Sequence, residues 1–114
     1  MSYTTRNYRD VEPNHEALYV LRDALDCEQL GFSVVECEPG WSGIEHDHVG
    51  HDADSVFAND HEEVYFLVEG GVTVEIEGDA VELDPGDAVR IAPDAVRQIH
   101  NGDEPSTLVL AGAP

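Results

Sequence analysis

The stretch Gly40-Trp41-Ser42-Gly43-Ile44-Glu45-His46-Asp47-His48 sets two histidines at i and i+2. Side chains alternate along a β-strand, so His46 and His48 would leave the same face. Two neutral imidazoles side by side suit a first-row transition metal. Fifteen residues past His48 comes Glu63, opening the run Glu63-Val64-Tyr65-Phe66-Leu67-Val68-Glu69-Gly70. Val72–Gly78 and Val81–Pro93 follow, the latter carrying the turn Asp84-Pro85-Gly86-Asp87.

With these runs on the page, the chain resembles the cupin superfamily. The first motif of that family reads G-x5-H-x-H-x3–4-E-x6-G. Gly40, His46, His48, Glu63 and Gly70 fit it, including the six-residue spacing from Glu63 to Gly70. The second motif, G-x5-P-x-G-x2-H-x3-N, is matched only in part. The resemblance spans roughly residues 30 to 112. It implies a jelly-roll barrel in which His46, His48 and Glu63 converge as ligands of a divalent metal ion (Fe, Mn, Ni or Zn).

The fourth ligand of the resemblance falls in an ambiguous register. Counting from Pro93, with Ala95 in place of the family glycine, it lands on Gln98; counting back from Asn101, it lands on Arg97. Gln98 could ligate through its amide oxygen. His100, about 6.6 Å further along the same strand face, could serve instead or line the cavity. Arg97 cannot ligate; pointed inward, it would bind an anionic ligand or stand where the metal would be. Two histidines and one carboxylate with open positions still resemble the arrangement of non-haem Fe(II) oxygenases. Zinc in the same place would acidify a bound water for hydrolysis or isomerisation. No nucleophile elbow or phosphate loop is present.

Between His48 and Glu63 lie 14 residues, where the family has three or four. This insertion at the barrel mouth holds His51, Asp52, Asp54, Asp60 and His61, which form either a second cation site or an acidic surface loop. Glu62, beside Glu63, points the other way by alternation and reads as a solvated carboxylate.

The elements that must position these residues are short β-runs punctuated by Gly, Pro and Asp. Strands are expected at Phe32–Glu38, Glu63–Val68, Val72–Ile76, Ala80–Leu83, Asp87–Ile91 and Thr107–Ala111, with a further short one at Ala17–Leu21. Residues 1–30 read as an N-terminal arm or edge strand packed on a barrel of residues 31–114. A helical turn or two is expected within Asp23–Leu30. The fold class is therefore all-β, a cupin-type jelly-roll β-barrel with a short N-terminal arm.

The chain has 114 residues, enough for one domain with a modest core. Its 25 acidic residues against five Lys+Arg give a net charge of −20. All five cations are arginine, and the acids are spread through every loop, which points to a salt-rich cytoplasm. With no basic patch, nucleic acid is not an expected partner. No secretory signal and no apolar run of about 20 residues is visible, so a cytoplasmic protein without membrane contact is expected. Cys27 and Cys37 read as two reduced thiols. The expected partners are a small-molecule ligand and a second copy in a homodimer, joined through sheet edges or an exchanged N-terminal strand burying Tyr19 and Leu21.

Two functions follow. One is a metal-binding cupin acting as a dioxygenase or isomerase on a small organic molecule. The other is a non-catalytic small-ligand binding or sensor cupin with a degenerate metal site. Whether it is an enzyme stays open at this level.

Overall fold

The computed structural model describes residues 2–14, 17–43 and 62–113. Among the described residues eight strands make up two antiparallel sheets, with no α-helix. They are β1 (Leu18–Val20), β2 (Gly31–Cys37), β3 (Glu62–Glu69), β4 (Val72–Ile76), β5 (Asp79–Leu83), β6 (Ala88–Ile91), β7 (Arg97–Asn101) and β8 (Ser106–Ala113). One sheet runs β1-β2-β8-β3-β6 and the other β5-β4-β7. The expected all-β architecture is what the chain adopts, and each expected strand appears within a residue or two of its bounds. β7 is an addition that the sequence had not delimited. Residues 22–26 form hydrogen-bonded turns, no more than the turn or two expected, closed by Leu25 N–H to Leu21 O and Cys27 N–H to Arg22 O. A run as short as Asp23–Leu30 cannot sustain a longer helix without a packed face.

Alternation builds the core. In β3 the odd positions Glu63, Tyr65 and Leu67 are buried and the even ones exposed. Val72 and Val74 of β4, Ile91 of β6, Ile99 of β7 and Leu108 of β8 meet them in one apolar cluster. Turn chemistry sets the register. Glu77 and Gly78 both take positive φ (49° and 83°) between β4 and β5, as a two-residue hairpin loop of type I′ demands. Asp84-Pro85-Gly86-Asp87 closes with Asp87 N–H to Asp84 O at 2.9 Å, Gly86 sitting at φ 94°.

Gly70, in the first motif, takes φ 91°, and a Cβ there would run into Ser106 Oγ and the Pro105 carbonyl. Asn101 ties the far end of the barrel together. Its Nδ2 donates to Glu38 O (2.7 Å) and Glu104 O (2.9 Å), and its Oδ1 accepts from Ser106 Oγ (2.6 Å). The N-terminal arm carries a 3₁₀ turn, Tyr8–Asp10, anchored by a hydrogen bond from the Tyr8 hydroxyl to Glu36 and edge-to-face packing of Tyr8 on Tyr19. Cys27 and Cys37 are both free thiols, and burial pushes that of Cys37 up to about 12.

Candidate functional site

β7 pairs with β4 in the register Ile76↔Arg97, Val74↔Ile99, Val72↔Asn101. That pairing settles which β7 side chains face the barrel interior. Arg97 and Ile99 point inward with Val72 and Val74, and both are buried. Gln98 and His100 leave the opposite face. Gln98 Nε2 donates to the Gly43 carbonyl at 2.8 Å. His100 Nδ1 lies 3.0 Å from Ser42 Oγ and its Nε2 lies 3.4 Å from Glu75 Oε2. The structure therefore does not bring Gln98 or His100 to Glu63. A one-residue shift in register moves every side chain to the other face, which is why the count along the sequence had left the matter open.

What faces Glu63 is Arg97. Arg97 Nη1 stands 3.4 Å from Glu63 Oε1, and Arg97 Nη2 donates to the Ala92 carbonyl at 2.5 Å. Arg97 is 0% exposed and Glu63 6%. Tyr65, two residues along β3 on the same inward face, completes the cluster and is also fully buried. All three residues lie toward one end of the barrel, where β3 and β7 begin and β6 finishes, Glu63 pairing with Ile91.

Burial dominates the electrostatics. It pushes the Glu63 carboxyl up to about 7, against the opposing pull of Arg97 and of Tyr65. The Tyr65 phenol is driven well above its ordinary range, first by burial and then by the Glu63 charge. Its hydroxyl is close enough to Glu63 for each to shift the other, yet it makes no hydrogen bond of good geometry among the described residues. Arg97 Nε is in the same position. Glu62 behaves as alternation requires: it is exposed and pairs with Arg90 Nε at 2.6 Å.

The described residues do not fit a metal ion. A guanidinium has no lone pair to offer, and its fixed charge beside Glu63 opposes a divalent cation. Among the described residues no three His, Cys, Asp or Glu side chains converge as ligands. His46 and His48 lie outside the described residues, as do His51, Asp52, Asp54, Asp60 and His61 of the insertion.

Geometry and comparison agree on the class. The Cupin_2 family model, a cupin domain, matches residues 33–112, and the chain belongs to that family. Among solved structures, a cupin protein from Bacteroides fragilis aligns at 25% identity and a TM-score of 0.77, covering 99% of this chain and 85% of that one. KdgF from Halomonas sp. aligns at 19% identity and a TM-score of 0.72, covering 100% and 94%. A sugar phosphate isomerase of the cupin superfamily from Silicibacter pomeroyi aligns at 20% identity and a TM-score of 0.69, covering 97% and 76%. No curated protein matches the chain in sequence. No helix among the described residues is long and apolar enough to cross a membrane.

Arg97 was the residue that motif counting could not place. A signal for it does exist in the sequence: Ala95, Arg97 and Ile99 form a period-two run, and all three are buried.

Proposed function

We propose that this chain is a small-molecule-binding cupin whose interior site is built on Glu63, Tyr65 and Arg97 and does not depend on a metal. The observation that carries this reading is Arg97 itself, fully buried and paired with the carboxylate that would otherwise serve as a metal ligand. Removing a guanidinium from water is costly. A chain that keeps one in its barrel has replaced a metal's charge with a covalently attached cation. The site offers an acceptor that titrates, a phenol and a cation, the mixed polar set that fixes a small ligand inside an apolar wall.

The test pairs elemental analysis of untagged protein with a ligand screen by thermal shift, run with and without chelator. The expected result is metal well below one per chain and ligand-induced stabilisation that survives the chelator. Stoichiometric metal that is lost in a His46→Ala, His48→Ala double variant would overturn the reading in favour of a metal-dependent cupin.

One observation favours a catalytic version of the same site. A carboxyl held near pH 7 is matched to proton abstraction next to a carbonyl. The sugar phosphate isomerase from Silicibacter pomeroyi shares the fold. Under this version Glu63 carries a proton between adjacent carbons of an aldose or ketose while Arg97 holds the oxygen. Solvent deuterium would then enter the substrate at that carbon, and Glu63→Gln would stop the exchange.

A further inference from the structure

Arg97 presents three nitrogens to the barrel interior, and two are accounted for: Nη1 faces Glu63 and Nη2 donates to Ala92 O. Nε–H meets no acceptor among the described residues, and the Tyr65 hydroxyl, though near enough to Glu63 to act on it, makes no hydrogen bond of good geometry there; both atoms are shut off from solvent. A buried donor without a partner costs about 1–3 kcal/mol, more when it belongs to a charged group. Two such groups on neighbouring side chains, each acting on Glu63, are an unusual pair to strand in one place.

Resting on the proposed ligand-binding role, we propose that Arg97 Nε and the Tyr65 hydroxyl together receive the carboxylate of a small organic acid. Arg97 supplies the charge-assisted bond and Tyr65 a neutral one. The site discriminates by charge number. Arg97 carries a single positive charge, so a monoanion brings less uncompensated charge into the dry interior than a dianion does. A phosphate dianion would bring a second, uncompensated charge into a dry site.

The experiment follows the Arg97 Nε–H resonance by ¹⁵N NMR at constant ionic strength. The probes are acetate, pyruvate and glucuronate, each set against its neutral counterpart (acetamide, pyruvamide, glucose), and glucose 6-phosphate. At least one carboxylate should shift the Nε–H signal in a saturable way, while its neutral counterpart and the phosphate should not. Arg97→Lys should weaken that binding by about tenfold or more, since an ammonium cannot reproduce the directed Nε–H. Tyr65→Phe should weaken it less, and Glu63→Gln should strengthen it by removing the competing charge. If Arg97→Lys fails to fold, Tyr65→Phe and Glu63→Gln still carry the test with opposite expected signs. A resonance unmoved by every carboxylate at saturating concentration, an ordered water being its only partner, would overturn the inference. A neutral sugar that stabilises the fold and leaves Nε–H unmoved would also overturn it, yet would leave the binding role standing.

Discussion

Arg97 Nη1 lies 3.4 Å from Glu63 Oε1 with the two side chains 0% and 7% exposed, an ion pair held in a dry interior. The two halves of this pair are not equivalent. A stranded carboxylate can take up a proton, whereas a guanidinium cannot lose one. Glu63→Leu should therefore cost more than Arg97→Met, on the order of 3–5 kcal/mol for the former. The double variant should recover most of that loss, because an apolar pair of similar volume has no charge to bury. Urea unfolding of all four proteins at one salt concentration measures the coupling. A double variant less stable than either single one would show that the pair does not act as a unit.

The titration of Glu63 gives stability a direction with pH. Its folded-state value, about 7, lies above the ordinary 4.5. Between those values the folded chain holds a proton that the unfolded chain has released. The contribution of Glu63 is complete below about pH 4.5 and disappears as pH rises through 7. Repulsion among the surface carboxylates has the same sign, but molar salt screens it and cannot reach a buried group. In about 2 M KCl a fall in stability from pH 5 to pH 8 should persist in the native chain and be absent in Glu63→Gln. Identical pH profiles for the two proteins would place the carboxyl in water instead.

If Arg97 stands in for a metal ligand, restoring an imidazole there should restore affinity. Arg97→His removes the fixed charge and supplies a donor on the inward face that the Ile76↔Arg97 pairing defines. Metal bound per chain, measured after dialysis against a dilute zinc or manganese buffer, should rise above that of the native chain. The gain should vanish when His46 and His48 are also changed to alanine. Equal metal content before and after Arg97→His would mean that the guanidinium does not control the site.

Much of this architecture was legible because short runs rich in β-branched and aromatic residues are separated by Gly, Pro and Asp turns, as at Glu69-Gly70-Gly71 and Asp84-Pro85-Gly86-Asp87. β7 was not, for a physical reason: Arg97-Gln98-Ile99-His100-Asn101 contains one apolar residue, because an inward slot holds a buried cation. A pattern built on apolar burial fails where a strand buries a charge. Glu63 was found because its spacing to Gly70 is fixed, and Gly70 is fixed in turn by the close approach of Ser106 and Pro105. Choosing between Arg97 and Gln98 required a partner strand, which no count along one strand supplies.

The outer face of the five-stranded sheet bears on assembly. Within the protomer β1 pairs with β2 at the sheet edge, and Leu21 is buried. Val64, Phe66 and Val68 remain exposed on β3, at 37%, 41% and 49%. Phe66 lies between Val109 of β8 and Ala88 of β6, and the Arg90–Glu62 ion pair edges the same face. A two-fold axis through this patch would set apolar against apolar and give each Arg90 a second carboxylate. Light scattering should report a homodimer in molar KCl and a monomer for Phe66→Asp, with the melting temperature of the variant little changed once dissociated. A monomeric native chain, or a dimer that survives Phe66→Asp, would exclude this surface.

The last prediction concerns the charge. With 25 carboxylates against five arginines, and Arg90 and Arg97 held in ion pairs among the described residues, self-repulsion opposes the compact state at low ionic strength. Added salt shortens the screening length from about 30 Å at 0.01 M to about 3 Å at 1 M. The melting temperature should rise steeply over that range and more slowly above it, where excluded salts strengthen apolar burial. Mild acid, near pH 5, should partly substitute for salt, because protonation relieves the same repulsion and also suits Glu63. The two treatments should be less than additive, since each removes what the other would have screened. A melting temperature that stays flat from about 0.05 M to about 2 M KCl would show that the acidic surface is incidental to stability.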